Sequence, residues 1–272
     1  MREAAGIMPD KAKDKVVVIT GATAGIGKAC GKMFKARGAK VVCLARRTTE
    51  EFDCIPTDVT DRAAVGAAVR VVINKYGRID ILVNNAGMGI SGAAESTDDA
   101  AVRKIFELNF FGVLNVIREV VPFMRAQGGG VIVNMSSVAA ELAIPFQAFY
   151  SATKAAVSSL SAALRNELAP FGIKVTAVLP GDVKTDFTAS REKNSADDPA
   201  YGERVARSVA VMEHDEKNGM SPDVIARIVV RSALMKNPPV SRVGGWKYVL
   251  LVRLAHILPS RLVSYILGKM YA

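Results

Sequence analysis

Between residues 16 and 179 the chain alternates short, nearly uninterrupted apolar runs with helix-length amphipathic stretches. The runs are VVVIT (16–20), KVVCLA (40–45), IDILVNN (79–85), VIVNMS (131–136) and IKVTAVL (173–179). A strand with one wet face alternates polar and apolar residues. Continuous Val- and Ile-rich runs instead mark strands buried on both faces, as in a parallel sheet with helical crossovers. The expected fold class is therefore α/β, a doubly wound parallel sheet with helices on both faces. One connection is short: only TTEEFDCIPT separates Arg47 from Asp58. A parallel crossover usually takes about a dozen residues or more, including a helix. Here a turn around Thr49–Glu51 has to replace that helix, and Asp53–Pro56 forms the third strand. A helix near 222–236 and a strand around Val240–Val243 bring the total to about seven strands. No linker-like tract or internal repeat interrupts the pattern, which gives a single domain over 12–245 and a helical extension over 246–272.

With 50% hydrophobic and 23% charged residues, the chain has the composition of a well-cored globular protein. The opening MREAAGIMPDKAKDK lacks the apolar core of a secretory signal, and no apolar run reaches membrane-span length, so a cytoplasmic location is expected. Cys30, Cys43 and Cys54 are scattered, and His214 and His256 lie far apart, which argues for reduced thiols and against a metal site.

The first strand runs directly into TGATAGIGKACGKMF, placing Gly21, Gly25 and Gly27 at a strand-to-helix turn. Small residues there let the backbone approach a pyrophosphate, and the helix N-terminus offers it free amides. The spacing is TGxxxGxG rather than GxGxxG. Later, Tyr150 stands four residues before Lys154, so the two side chains share a helix face one turn apart.

Further landmarks follow in order: Asp58-Val59, Asn84-Asn85-Ala86-Gly87, Asn109, Ser137 thirteen residues before Tyr150, and Pro180-Gly181 with Thr185. Together with the TGxxxGxG turn and Tyr150-x-x-x-Lys154, they make the chain up to about residue 185 resemble the short-chain dehydrogenase/reductase family. The resemblance implies a Rossmann-type sheet and a catalytic set of Asn109, Ser137, Tyr150 and Lys154. It places the cofactor against Gly21, Thr23, Gly25, Ile26 and Gly27, with Asp58 and Val59 at the adenine. Asn85, Ala86 and Gly87 follow, and Pro180, Gly181, Val183 and Thr185 close over the nicotinamide end. Tyr150 would exchange a proton with the substrate oxygen, which Ser137 holds. Lys154, together with the charge of an oxidised nicotinamide, would lower the tyrosine pKa. Lys154 would also bond the nicotinamide ribose, and Asn109 would hold a water that relays protons to Lys154. Ser136 competes with Ser137, but the family spacing selects the second. The reaction implied interconverts a carbonyl and a secondary alcohol.

The second strand ends Leu44-Ala45-Arg46-Arg47. An acidic residue at this point binds the ribose hydroxyls of NAD, whereas an arginine fork suits a 2′-phosphate. Ala45 occupies the acid's place, so Arg46 and Arg47 favour NADP(H), with NAD(H) as the alternative. Ala24, inside the glycine turn, is not the basic residue that many NADP-preferring relatives carry.

Residues 186–222 are polar and low in strand signal, and by resemblance correspond to a substrate lid. Phe187 and Tyr201 either line a pocket or pack on the sheet. Glu213-His214-Asp215-Glu216 reads as a solvated charge run. The net charge is +10, and from Val224 onward the chain has eight Lys and Arg and no acidic residue. In the extension, Trp246–Leu258 is mostly apolar, and Ser260 is placed to cap a second helix. The extension either folds back over the cleft or a partner subunit, or lies peripherally on a membrane. Nucleic-acid binding has only charge in its favour. The expected substrate is an apolar carbonyl or alcohol such as a hydroxysteroid or lipid ketone. A 3-oxoacyl-carrier-protein reductase is the alternative enzyme, and a non-catalytic NADP(H)-binding regulator the alternative class. By resemblance, a homodimer or homotetramer forms through the helices bearing Asn109 and Tyr150.

Overall fold

In the computed structural model, which describes residues 11–194 and 199–271, seven parallel strands form one sheet. They are β1 (Val16–Thr20), β2 (Lys40–Ala45), β3 (Asp53–Pro56), β4 (Ile81–Asn84), β6 (Gly130–Met135), β7 (Ile173–Pro180) and β9 (Ser241–Gly244). Their spatial order is β3-β2-β1-β4-β6-β7-β9, so the chain direction across the sheet reverses between β1 and β4. A separate two-residue pair joins β5 (Ile90–Ser91) to β8 (Glu192–Lys193). That pair was not anticipated, because two residues carry no periodicity to read.

The apolar runs are buried on both sides because a pleated strand sends alternate side chains to opposite faces. Val17 and Ile19 enter one core with α1 (Gly25–Lys35) and α7 (Pro222–Ala233). Val16 and Val18 enter the other, with α2 (Arg62–Tyr76), α4 (Gly112–Ala126) and α5 (Ala148–Glu167). The remaining helices are α3 (Asp99–Phe106), α6 (Arg204–Lys217), α8 (Trp246–Ile257) and α9 (Ser260–Tyr271).

The short crossover before β3 does without a helix. Phe52 packs on α1 over Gly31, where a Cβ would lie 2.6 Å from its ring. Lys28 and Lys32 pair with the Glu51 carboxylate, and Lys35 donates to the Glu51 carbonyl at 2.7 Å. One aromatic plug and three lysines from α1 thus hold the turn in place.

Three boundaries differ from expectation. α7 ends at Ala233, not 236, and β9 begins one residue late because Val240 is exposed and contributes only its carbonyl, to the Ala177 amide. Ser260 lies inside the first turn of α9, where the Pro259 carbonyl takes the first amides.

Candidate active site

The site forms along the carboxyl ends of the strands, at the point where strand order reverses, which is where open α/β sheets bind ligands. A cleft of about 650 Å³ runs there from the β1–α1 turn to Tyr150.

At one end Gly21 and Gly25 adopt φ of +67° and +50°, conformations that glycine reaches without strain. A Cβ on Gly27 would meet the Gly21 carbonyl and the Asn85 amide at 2.5 Å. Asn85 itself ties the end of β4 to this turn, donating to the carbonyls of Thr20 and Gly21. No side chain caps α1, and no acidic residue sits in its first turn. Its leading amides therefore face the cleft without a competing anion, as a pyrophosphate requires. Thr185 stands 3.3 Å from a Cβ built on Gly25, so the segment after β7 closes over the turn. Ile26, Thr23, Pro180, Gly181 and Val183 complete the lining. This end fits the dinucleotide expected there.

Arg46 and Arg47 line the same cleft at the end of β2, exposed and without an ion-pair partner among the described residues. Asp58 accepts from the Thr60 amide at 3.0 Å and the Thr60 hydroxyl at 2.8 Å. The backbone hydrogen bond is the largest influence holding its carboxyl below the usual range, with help from Arg46. The buried Val59 lines the cleft alongside, and Ala86 and Gly87 continue it from β4.

At the far end α5 presents Tyr150 and Lys154. A buried chain of hydrogen bonds sets the helix on the sheet: Asn84 to Asn134 at 2.8 Å, then Asn134 to the Ser161 hydroxyl at 2.9 Å. The Ser136 hydroxyl donates to the Lys154 carbonyl at 2.8 Å. Ser136 therefore fastens α5, which separates its role from that of Ser137. The Ser137 hydroxyl accepts from the Ala139 amide at 3.1 Å and contacts the Tyr150 phenol.

The Lys154 ammonium is buried, donates to the Met135 carbonyl at 2.9 Å, and lies 5.6 Å from the Tyr150 ring centroid. Burial lowers its pKa to about 8. The expected depression of the Tyr150 pKa is not found. Burial pushes it up to about 12, the Ser137 contact opposes this, and Glu216 and Asp182 reinforce it. The phenol holds its proton chiefly because it is desolvated; the two carboxylates add to this, and Arg191 opposes it.

Asn109 is fully buried on a π-helical segment, Glu107–Phe111, that links α3 to α4. Such bulges concentrate at functional sites. Its side chain accepts from the Met88 amide at 2.8 Å and donates to the Met88 carbonyl and the Thr153 hydroxyl. The side chain is thus engaged with protein groups, which fixes Asn109 between the Met88 segment and α5. A Cβ on Gly87 would lie 3.1 Å from the Asn109 oxygen and 3.5 Å from Lys154 Nζ, so that glycine gives both groups room.

Replacing Lys154 by Met should stabilise the protein when no dinucleotide is bound. The unfolded lysine keeps its proton to about 10.5, while the folded one releases it near 8. Between those values the unfolded state binds more protons, so wild-type stability rises with pH, and the penalty is complete below pH 8. The variant should gain about 3 kcal/mol at neutral pH, a difference that fades toward pH 10. Melts of both proteins across that range would check it; a less stable variant at pH 7 would refute it.

Several contributors were not identified from sequence. Phe187, which the sequence allows either in a pocket or on the sheet, lines the cleft with its ring 5.8 Å from that of Tyr150. Tyr201 instead packs edge-on against Phe146, donates to Glu95, and does not line the cleft. The charge run is only partly solvated. His214 is exposed, whereas Glu216 lines the cleft, accepting from buried Arg191 and from the Thr188 hydroxyl at 2.6 Å. The signal was present, since Val205, Val209, Met212 and Glu216 fall at helical spacing on one face of α6 and the first three are buried. Asp182 also lines the cleft and accepts from the Tyr248 hydroxyl of α8, whose ring covers Gly181. The extension thus folds back onto the wall of the site.

A family model described as short chain dehydrogenase matches residues 15–196. The chain belongs to the short-chain dehydrogenase/reductase family. As a short-chain dehydrogenase/reductase it is an oxidoreductase that acts between carbonyl and alcohol with a nicotinamide cofactor. A 3-ketodihydrosphingosine reductase from Bacteroides thetaiotaomicron is 37% identical over 264 residues, covering 95% of this chain and 98% of its own. Among solved structures, a short-chain dehydrogenase from Streptomyces avermitilis is 32% identical with a TM-score of 0.80, covering 94% of this chain and 96% of its own. A 3-ketoacyl-(acyl-carrier-protein) reductase from Brucella melitensis, complexed with NADH, is 29% identical with a TM-score of 0.72, covering 85% of this chain and 97% of its own.

Proposed function

We propose that the protein is an NADP(H)-dependent reductase of a lipid ketone, and specifically of a long-chain amino ketone. The observation that carries the catalytic part is the convergence of Tyr150, Ser137 and Lys154 in one cleft with an uncapped glycine turn. That convergence also weighs against a non-catalytic regulator.

A bound NADPH supplies the hydride equivalent that reduces the carbonyl carbon. Tyr150 acts as the acid. With its pKa raised to about 12 it is protonated throughout the neutral range and donates to the substrate oxygen as negative charge develops there. The Ser137 hydroxyl holds that oxygen, and is itself positioned at the start of a 3₁₀ turn by accepting from the Ala139 amide. Lys154, poised near pH 8, is suited to replace the proton.

Two features support the amino ketone. The Bacteroides protein, similar over nearly the whole length, is named for 3-ketodihydrosphingosine, whose ketone lies beside a protonated amine. In an otherwise basic chain, the substrate end carries Asp182 and Glu216 close enough to Tyr150 to raise its pKa, with Arg191, the partner of Glu216, acting against them. Because Arg191 offsets Glu216, Asp182 is the carboxylate left to attract an ammonium there, and it disfavours an acidic thioester carrier.

The test is NADPH oxidation against 3-ketodihydrosphingosine, its N-acetyl derivative, a ketosteroid and a 3-oxoacyl thioester. The free amino ketone should exceed the N-acetyl compound in kcat/KM by at least about tenfold, the discrimination expected of one charge-assisted contact. Preference for the thioester would overturn the substrate assignment in favour of a 3-oxoacyl reductase. The same proposal includes a homodimer or homotetramer through the elements carrying Asn109 and Tyr150, and a monomer in sedimentation would refute that part.

A further inference from the structure

The extension has two apolar sides, and the protein covers only one. On α8, Tyr248, Val252 and Ala255 turn inward and join Val138, Leu142 and Leu179 in a small core behind the cleft wall. On the opposite side, Trp246, Leu250, Leu254 and Ile257 recur at helical spacing and are exposed, Trp246 by 76% and Ile257 by 80%. In α9 the pattern repeats. Val263 and Leu267 turn inward, Tyr271 packs near α6, and Leu262, Ile266 and Met270, four residues apart, are exposed with Tyr265. Of the thirteen large exposed apolar side chains among the described residues, nine lie on these two helices, and the other four, Val71, Phe111, Phe171 and Val240, are scattered. Two such apolar stripes on consecutive helices mark an interaction site rather than ordinary surface composition.

Charge identifies the occupant. Lys247 and Arg253 flank the outward stripe of α8 by helical position, Arg261 and Lys269 belong to α9, and no acidic residue occurs from Val224 onward. A two-fold interface would press this patch against its own copy and oppose cation to cation. An anionic lipid surface accepts the apolar stripe and neutralises the flanking charges together. Each helix has 12 residues, about 18 Å of α-helix, and no helix among the described residues is long and apolar enough to cross a membrane. The segment is built to lie on a bilayer.

We propose that α8 and α9 dock the protein, outer face down, on an anionic lipid bilayer, with their inner face forming part of the substrate-cleft wall. Docking would bring that wall, through Tyr248 and Asp182, to the surface where a lipid ketone resides. The proposal concerns a surface and not the reaction, so it stands or falls independently of which ketone is reduced.

Trp246 is the only tryptophan in the chain and lies on the proposed face, so its emission reports docking directly. The full-length protein would be mixed with vesicles of phosphatidylcholine alone or with about a third phosphatidylglycerol, at low and high salt. Emission should move to shorter wavelength with the anionic vesicles, and the protein should co-sediment with them. Binding should weaken at least about tenfold on neutral vesicles and in high salt. The combined variant Leu250→Ser, Leu254→Ser, Ile257→Ser keeps the tryptophan and should lose at least about tenfold in vesicle binding, while binding NADPH as the wild type does. No emission shift with anionic vesicles overturns the proposal. So does unchanged binding by the variant, or a shift that follows protein concentration without vesicles together with a dimer mass, which would make the face an interface between copies.

Discussion

Tyr150→Phe should lower kcat for the ketone substrate by about 10²–10⁴-fold, the range lost with a general acid, and leave the Kd for NADPH within about twofold of wild type. The substitution removes one hydroxyl and keeps the ring that packs against Phe187. The hydroxyl's partner in the protein is the Ser137 hydroxyl, so the fold should weaken by no more than one hydrogen bond, about 1 kcal/mol. Its logic rests on the environment. Burial and the nearby carboxylates Glu216 and Asp182 keep the phenol protonated, with a pKa of about 12, in the protein without a dinucleotide. In the reduction direction such a group needs no activation as an acid, because the oxygen it serves becomes far more basic as the carbonyl is reduced. Turnover should accordingly fall toward high pH as Lys154 loses its charge near pH 8 and proton resupply slows. A Tyr150→Phe enzyme within tenfold of wild-type kcat would assign the proton to another group, and Ser137 would be the next to vary.

The parts of this architecture legible in the sequence are those imposed by burial of backbone. Five apolar runs had to be strands buried on both faces, and all five lie in the central sheet. Even β3 was recoverable as Asp53–Pro56, because so few residues separate Arg47 from Asp58 that only one placement of a strand remains. The glycine turn and the Tyr150–Lys154 pair were legible for the same reason, since each is a local spacing that a turn or a helix converts directly into geometry. What escaped was set by contacts between distant segments. Nothing near Asp182 in sequence says that Tyr248, 66 residues later, donates to it. The π-helical turn at Asn109 reads like any other helix, because its extra residue alters hydrogen bonding and not composition. Glu216 is hard to place from sequence for a different reason: its neighbours His214 and Lys217 are exposed, and only the buried residues one, two and three turns earlier reveal its direction. The same long-range contacts decide the electrostatics. A tyrosine one turn from a lysine looks like a depressed pKa until the burial of both groups and two remote carboxylates are counted.

The cofactor preference proposed here makes the second large prediction, for the double variant Arg46→Ala, Arg47→Ala. Its KM for NADPH should rise by about 10–100-fold, the cost of one or two lost charge-assisted hydrogen bonds, while its KM for NADH changes by no more than about twofold. The asymmetry follows from position. Both guanidiniums lie exposed in the lining of the cleft where β2 ends, with no carboxylate pairing them among the described residues. Their positive charge is therefore available to a ligand. Asp58, the nearest acid by its influence, is engaged by Thr60 and ionised, so it neither competes for a phosphate nor replaces the missing acid at Ala45. With Ala24 in the glycine turn, no basic residue there shares the load, and the two arginines must carry the whole preference. Steady-state kinetics with each cofactor at a fixed ketone concentration would check this, and the single variants would divide the effect between the two positions. Equal losses with NADPH and NADH would mean that the arginines serve the common pyrophosphate. A wild-type enzyme that uses NADH better would mean that they face solvent and that Asp58 and the ribose set the preference instead.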